Sequence, residues 1–246
     1  MRKPNPVVIR NRWVFEVKAI IKNVSTAIAA ALFFATMGAA HAETDDDGGG
    51  WLSLNAQGKL PANGFNWHTD LQFRWRENGQ EFEQFIVRPA VFYKLSERSS
   101  VWLGYANAHT RTFRSTTVEE HRIWQQFSYT DTIGAFTLQS RTRLEQRSFE
   151  TGDDIGHRLR QTFRVSMRVA QAPKFSLIGS NEAFVNLNKT DWGARSGFDR
   201  NRLFLGVGYS AGAKLRLETG YLNQYVDTAT TDRRNHVLLI GLNFTF

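Results

Sequence analysis

The chain has 246 residues, of which 41% are hydrophobic and 13% aromatic, and it contains no cysteine. This length predicts one domain or two small ones, and the absence of cysteine excludes a fold that is supported by disulfides. The formal net charge is +8, so the position of the basic residues decides whether a nucleic-acid partner is indicated.

The first 42 residues are typical of a secretory signal peptide. A basic region precedes the apolar run VSTAIAAALFFATMGAA, and AHA at Ala40–Ala42 is a small-x-small cleavage signal. A membrane anchor is the alternative, because the run matches the shortest spanning helices of about 17 residues. Removing residues 1–42 takes away six basic residues and one acidic residue, which leaves 25 and 22 and a net charge of +3. The charge therefore indicates no nucleic-acid partner.

Residues 43–50, ETDDDGGG, are acidic and glycine-rich, and they predict a flexible N-terminus of the mature chain. Beyond them no stretch is long and apolar enough for a membrane helix. Polar and apolar residues instead alternate with period two, which is the pattern of a strand with two different faces. In FNWHTDLQFRWR (65–76), for example, Trp67 and Leu71 lie on one face and Asp70 and Arg74 on the other.

Eleven segments show this alternation, and turn-forming sequences such as PANG, ENGQ, TGDDIG and SAGA separate them. They lie at about 51–60, 65–77, 82–96, 100–113, 119–130, 134–149, 157–171, 175–188, 200–210, 214–226 and 235–246. Such strands are longer than the roughly 5–6 residues of a soluble sandwich and match the about 9–11 tilted residues that cross a bilayer. The later breaks alternate between short and long, as periplasmic turns and extracellular loops do.

The pattern predicts an all-β fold: a transmembrane antiparallel up-and-down β-barrel over residues 51–246, a single domain that follows the cleaved signal peptide. The barrel must close because unpaired backbone groups in hydrocarbon cost several kcal/mol each. Single-chain bacterial barrels have even strand numbers, so about twelve strands are expected, with ten as the alternative. A secreted β-sandwich is the soluble alternative. The expected location is the outer membrane of a Gram-negative bacterium.

The final segment, HVLLIGLNFTF, ends on Phe246 and resembles the C-terminal strand that outer-membrane barrels present to their assembly machinery. We therefore expect that machinery as a partner, together with outer-membrane lipid and lipopolysaccharide. Small anionic solutes are further partners if the lumen is open. The tryptophans and tyrosines that are expected to form interfacial girdles are Trp67, Trp75, Tyr93, Tyr105, Tyr129, Tyr209 and Tyr221.

Several ordered motifs resemble one bacterial family. They are EEHRIWQQF (119–127), RTRLEQR (141–147), GHRLR (156–160), SNEAFVNLN (180–188), FDRNRLFLGVGY (198–209), LETGYLNQY (217–225) and HVLLIGLNF (236–244). In this order they are similar to the family known as domain of unknown function 2490. The resemblance implies an exported outer-membrane barrel, and it implies neither an activity nor a catalytic residue.

Arginines recur at alternate positions in residues 141–168, which places them on one face of two successive strands. An arginine that faces lipid at the midplane costs about 2–4 kcal/mol, so this face is expected to line the lumen. A hairpin centred near residue 152 would place Arg147 opposite Arg158, Glu145 opposite Arg160 and Arg141 opposite Arg164. The predicted basic cluster is Arg141, Arg143, Arg147, Arg158, Arg160, Arg164 and Arg168, and the candidate counter-charges are Glu120, Glu145, Glu182 and Glu218.

Two interpretations of the arginines stay open. The first is a network of salt bridges that fills the interior of a structural barrel, sealed or with a narrow passage, since guanidinium pairs bidentately with carboxylates. The second is an anion-selective channel or a binder of small acidic solutes, since arginine rings select anions in pores. A barrel of ten to twelve strands lies between filled and water-filled sizes.

A lipid- or envelope-modifying enzyme is the third alternative. His68 and Asp70 share one face, but no pattern connects them with a serine such as Ser128, Ser166 or Ser180. Metal-ligand spacing is also absent. The sequence therefore predicts a protein that is not an enzyme, with no catalytic or metal-binding residues and no cofactor.

Overall fold

The structure, a computed structural model, describes residues 44–112 and 116–246, and the predicted signal peptide lies outside this part of the chain. Eleven strands form within the described residues: β1 (Thr44–Lys59), β2 (Phe65–Arg76), β3 (Glu81–Lys94), β4 (Ser99–Arg111), β5 (Thr117–Ile133), β6 (Phe136–Phe149), β7 (Gly156–Arg168), β8 (Phe175–Asn186), β9 (Gly197–Ser210), β10 (Leu215–Val226) and β11 (Asp232–Thr245). In this part of the chain, no helix has the length and apolar character needed to cross a membrane.

The strands close into one barrel, which confirms the predicted all-β architecture. Neighbours in sequence pair antiparallel, whereas β1 and β11 pair in parallel. About twelve strands, with ten as the alternative, were expected because single-chain bacterial barrels have even strand numbers. An even number is needed when all neighbours around a closed ring are antiparallel. One parallel pair removes that requirement, so the eleven strands of the described residues close without a twelfth.

The barrel is strongly staggered. A path through paired residues starts at Lys59, crosses β2 to β11 in turn, and returns to β1 at Asp45, fourteen residues from its start. Stagger and tilt are linked in barrels, which typically tilt their strands by about 35–45°. Tilt of this kind accommodates strands of 12 to 17 residues in one layer.

The acidic segment that was expected to be flexible is part of the wall. Residues 44–50 pair with 232–238 of β11, and Asp47 accepts hydrogen bonds from the Glu77 backbone N–H at 3.1 and 3.2 Å. Gly48 and Gly49 allow the β2–β3 hairpin to approach closely, because a side chain at Gly48 would collide with Asn78 of the turn and one at Gly49 with the Trp75 carbonyl of β2. The expectation was wrong because pairing with a distant strand outweighs a composition that favours flexibility.

The two faces of the wall differ in polarity, as the alternation of polar and apolar residues predicts. Leu205 and Leu238 on the outer face are 57% and 58% exposed, whereas Glu145 on the inner face is 1% exposed. Inner positions also hold a small apolar cluster of Ile86 and Trp124 with nearby alanines. Charged side chains therefore occupy the inside and large apolar side chains the outside.

The two ends of the barrel differ in their connections. Phe246 lies at the end that holds the short turns 134–135 and 211–214, which we call the C-terminal end, and its backbone N–H bonds the Gln57 carbonyl at 2.9 Å. Residues 150–155 and the longest connection, 187–196, lie at the opposite end, which we call the loop end.

The aromatic residues that were expected in girdles occupy two kinds of position. Trp67 and Tyr93 lie near strand ends at the C-terminal end, where Trp67 stacks on Phe246 with ring centroids 6.1 Å apart. Tyr105 and Tyr221 lie further along their strands. There their hydroxyls bond His121 and His236 on neighbouring strands of the outer face.

Amide side chains on the outer face bond one another across strands. Gln125 and Gln146 exchange two hydrogen bonds of 3.1 and 3.2 Å, and Asn181 and Asn201 exchange two of 2.9 and 3.2 Å. Reciprocal pairing satisfies one donor and one acceptor on each amide, which lowers the cost of placing these groups among apolar neighbours.

Candidate functional site

The candidate site is the charged interior of the barrel. The predicted arginines in it lie on the hairpin of β6 and β7. The observed register places Glu145 opposite Arg158, Arg143 opposite Arg160 and Arg147 opposite Gly156. The predicted register was therefore wrong by two residues. The observed one opposes a carboxylate to an arginine and leaves one like-charged pair in the hairpin, whereas the predicted one contained two, and directly opposed like charges are destabilising.

Glu145 lies at the centre of this hairpin. Its Oε2 accepts hydrogen bonds from Arg158 Nη2 at 2.6 Å and Nε at 3.0 Å, and its Oε1 accepts one from Arg160 Nη1 at 2.6 Å. Arg143 Nη1 lies 3.9 Å from the same Oε1. One buried carboxylate thus holds two guanidinium groups in fixed positions.

Glu182 connects four strands. Its Oε1 accepts hydrogen bonds from Arg160 at 2.8 Å, Arg141 at 2.9 Å and the Thr162 hydroxyl at 2.9 Å. Arg202 of β9 lies 3.6 Å from Oε2. Through this one side chain, β6, β7, β8 and β9 share an ionic contact.

The other two predicted counter-charges also contact arginines. Glu120 accepts hydrogen bonds from Arg122 at 2.5 Å and Arg147 at 2.6 Å. Glu218 of β10 accepts one from Arg164 of β7 at 2.6 Å, which is a contact between strands that are not neighbours. Six of the seven predicted arginines lie within ion-pair distance of these four glutamates. Arg168 is exposed at the C-terminal end of β7.

Sequence reasoning missed further members of the interior network. Asp70 pairs with Arg88 at 3.1 Å, and Asp199 with Arg158 at 3.2 Å and Arg200 at 2.9 Å. The alternation already places Asp70 on the polar face of residues 65–76, and Arg88 has the inward parity of β3, so both could have been included in the predicted network. Asp199 lies beside a bulge in the β8–β9 pairing, where a strict alternation fails.

Aromatic side chains provide faces on which the arginines stack. The Arg143 guanidinium carbon lies 3.9 Å from the Trp124 ring centroid, and that of Arg74 lies 3.9 Å from the Trp51 centroid. Arg160 lies 4.5 Å from the Phe184 centroid. Desolvated cation–π contacts of this kind contribute about 2 kcal/mol each, so rings and ion pairs together fix the interior side chains.

A cavity of about 480 Å³ extends from this network towards the C-terminal end, where it reaches Gln57 and Thr245. Among the described residues, seven arginines and three acidic residues line it: Arg74, Arg88, Arg141, Arg143, Arg160, Arg164 and Arg202, with Asp70, Glu182 and Glu218. A second cavity of about 370 Å³ lies at the same end, beside Arg168, Lys174 and Arg216. Both spaces border on Arg164 and Gln139, and both are predominantly basic.

Four buried side-chain nitrogens in the described part of the chain have no hydrogen-bond partner: His68 Nδ1, Arg74 Nε, Trp124 Nε1 and Arg143 Nη1. All four belong to residues that line the larger cavity. Buried polar groups are nearly always paired in native proteins, so this clustering distinguishes the cavity from the rest of the interior.

The structure brings together little that resembles a catalytic site. The His68 ring lies 5.5 Å from Trp102 in an edge arrangement, and Asp70 beside it is bonded to Ser53, Gln72 and Arg88. Ser128 accepts a hydrogen bond from Gln126 at 2.9 Å, while Ser180 and Ser166 line the two cavities. Within residues 44–112 and 116–246, no three histidine or acidic side chains are grouped to hold a metal ion.

Comparison with known proteins identifies the family and no activity. Residues 48–235 match the family described as "Protein of unknown function (DUF2490)". An uncharacterized protein of Methylorubrum extorquens is 34% identical over 231 residues, which cover 91% of this chain and 98% of that protein.

Among solved structures, OmpTdeltaL8, a loop L8 deletion mutant of the Vibrio cholerae outer membrane protein OmpT, aligns with a TM-score of 0.40 and 16% identity. The alignment covers 70% of this chain and 57% of that one, and a score of this size carries no argument about function or location. The match to residues 48–235 and the 34% identity to the Methylorubrum extorquens protein over nearly its whole length identify the family alone. The chain belongs to the DUF2490 family.

Proposed function

We propose that the mature chain is an outer-membrane β-barrel of a Gram-negative bacterium whose interior is closed by its arginine–carboxylate network. Its role in this proposal is that of a structural barrel without an open passage. One observation carries the proposal: the closed sheet has its charged residues inside and its large apolar residues outside.

The outer face supports insertion into a bilayer. Leu203, Leu205 and Val207 follow one another on the outer face of β9, and all are more than 40% exposed. Leu238 and Ile240 continue this surface on β11. A water-soluble barrel would bury such side chains, whereas a lipid environment makes their exposure favourable. The closed sheet also leaves no free edge in the hydrocarbon.

The inner face supports a closed interior. Contacts between Arg164 and Glu218 and between Arg158 and Asp199 join strands that are not adjacent, so side chains bridge the interior as well as line it. Trp124 and Phe184 on the inner face are almost completely buried, beneath Arg143 and Arg160 respectively. Eleven strands lie between the eight that side chains fill and the sixteen or more that leave an aqueous channel, so closure at this size depends on long bridging side chains such as these arginines.

The absence of catalysis is part of the proposal. Among the described residues His68 Nδ1 has no hydrogen-bond partner, so no serine is activated through that atom. An anion channel is the second candidate, and the excess of arginines around the larger cavity favours it. The proposed partners are outer-membrane lipid, lipopolysaccharide and, through Phe246, the barrel assembly machinery.

Fractionation and conductance measurements test this proposal. We expect the mature chain in the outer-membrane fraction, and we expect purified protein in planar bilayers to give no conductance steps. A porin reconstituted in the same way is the positive control. Recovery of a soluble monomer without detergent would contradict the membrane location, and stable anion-selective steps would contradict the closed interior and favour the channel.

A further inference from the structure

We propose that the cavity of about 480 Å³ is a binding site for a small solute that carries a carboxylate or phosphate group, held by Arg143, Trp124 and His68. This inference rests on the proposed function in one respect: a closed interior makes the cavity a cup that opens at the C-terminal end. Beyond the proposed function, the inference names the class of ligand, the end of the barrel at which the ligand enters and the residues that contact it.

The charges around the cavity favour an anion. Seven arginines and three acidic residues among the described residues line it, and the acids already pair with arginines. Glu182 contacts Arg141 and Arg160 at 2.9 and 2.8 Å, and Glu218 contacts Arg164 at 2.6 Å. Since the carboxylates are engaged, a cation would meet no free counter-charge there, whereas an oxyanion would meet an excess of positive charge.

Arg143 combines a donor without a hydrogen-bond partner with a position on the cavity wall. Its Nε and Nη2 both donate to Gln126 Oε1, at 2.9 and 2.6 Å, and its Nη1 has no hydrogen-bond partner. The nearest carboxylate oxygen, on Glu145, is 3.9 Å away and already accepts a bond from Arg160. A guanidinium whose hydrogen bonds go to a neutral amide retains its charge and has one donor for an incoming oxyanion.

The neighbouring unpartnered groups have matching chemistry. The Trp124 indole N–H can only donate, and His68 Nδ1 donates in one of its two neutral tautomers. Donors without an acceptor match a ligand that presents oxygen lone pairs. Carboxylate and phosphate groups both present several, and both accept from arginine in a bidentate manner.

The donors are also fixed in position. The Arg143 guanidinium carbon stacks 3.9 Å from the Trp124 centroid, and the Trp124 ring lies over Gly104, where any side chain would collide with it. His68 packs edge-on against Trp102. Preorganised donors need not be ordered when a ligand binds, which favours affinity. The cavity volume is within the range of about 300–1,000 Å³ that is typical of small-molecule sites.

Calorimetric titration of the folded protein in uncharged detergent tests the site. The probes are succinate and inorganic phosphate, with choline as the cationic control and glycerol as the neutral one, at constant ionic strength. We expect saturable binding of at least one anion and no binding of choline or glycerol. Preference between the two anions identifies the carboxylate or the phosphate as the recognised group. Absence of saturable binding for both anions overturns the inference.

Three variants locate the binding. Arg143→Gln is expected to weaken binding at least tenfold. Trp124→Phe removes the indole N–H but retains an aromatic ring, and it is expected to weaken binding severalfold. This variant tests the site if Arg143→Gln does not fold. Arg98→Gln removes the same charge from an exposed turn at the same end and should leave affinity unchanged. Equal affinity losses for Arg143→Gln and Arg98→Gln overturn the assignment, because they indicate a general charge effect.

The conductance experiment keeps this inference separate from the proposed function. A barrel that conducts and still binds succinate or phosphate through Arg143 contradicts the closed interior and supports the site. A non-conducting barrel that binds neither anion supports the closed interior and overturns the site.

Discussion

At the scale of single residues, Glu145 shows how the interior depends on individual carboxylates. It accepts hydrogen bonds from both Arg158 and Arg160, and it is almost completely buried. Removing one partner of a buried ion pair typically costs about 3–5 kcal/mol, because the remaining charge stays desolvated without compensation. Loss of the Glu145 carboxylate is therefore expected to lower the stability of the barrel, because Arg158 and Arg160 would stay buried without it.

We predict that Glu145→Gln lowers the melting temperature of the detergent-solubilised barrel. The amide retains the size of the side chain but presents one acceptor oxygen and no charge to Arg158 and Arg160. Thermal unfolding followed by circular dichroism measures the effect, and Glu182→Gln should act in the same direction. Glu97→Gln in the exposed β3–β4 turn is the control. Unchanged melting temperatures for both buried variants would contradict a stabilising network.

At the scale of elements, two loops at the loop end clasp each other. Asp191 in 187–196 accepts hydrogen bonds from the backbone N–H groups of Asp153 at 2.8 Å and Asp154 at 3.2 Å. Asp154 accepts one in return from the Asp191 N–H at 2.8 Å, and its carbonyl accepts the Trp192 indole N–H at 2.7 Å. The β6–β7 and β8–β9 connections are thus joined by backbone donors.

This clasp is expected to loosen in acid. Hydrogen bonds from the backbone N–H groups of Asp153 and Asp154 hold the pKa of Asp191 below its usual value. A lowered folded-state pKa contributes stability above the unfolded value of about 3.9, and this stability is lost as the pH falls through the folded pKa. We predict a change in Trp192 fluorescence below about pH 4, measured as the difference from Trp192→Phe. In Asp191→Asn this acid-dependent change should disappear, and its persistence would exclude Asp191 as the cause.

At the scale of the whole molecule, closure depends on one parallel pair. Leu52 lies opposite Ile240 and Asp46 opposite Arg234, so the offset between partners is constant along β1 and β11. An antiparallel pair would keep the sum of the residue numbers constant instead. This difference allows the closure to be tested without a further structure.

We predict that cysteine pairs at Leu52 with Ile240 and at Asp46 with Arg234 both form intramolecular disulfides. Paired strands lie about 4.8 Å apart, which is within the Cα separation that disulfides accept, and the chain has no other cysteine. Non-reducing electrophoresis measures cross-linking, and the mismatched pair Leu52 with Arg234 is the negative control. Failure of both matched pairs would contradict the parallel closure and favour a barrel with a further strand.

Parts of the interior could be predicted from the sequence. The alternation on β6 and β7 identifies the face that holds Arg143 and Glu145, because side-chain direction is a local property of a strand. Their partners could not be predicted in the same way. A register shift of two residues keeps every side chain on its face but changes the residue opposite to it. Parity therefore could not correct the assumed hairpin centre near residue 152, which placed Arg160 opposite Glu145 instead of Arg143.

The sequence by itself determined that the chain is a two-faced β-structure with charged and apolar residues on opposite sides, because a period of two is encoded residue by residue. Only the tertiary structure decided that residues 44–50 belong to the wall, that β1 closes on β11 in parallel, and that Arg164 meets Glu218 across the interior. Those features depend on the stagger accumulated over eleven strands, and no single segment contains it.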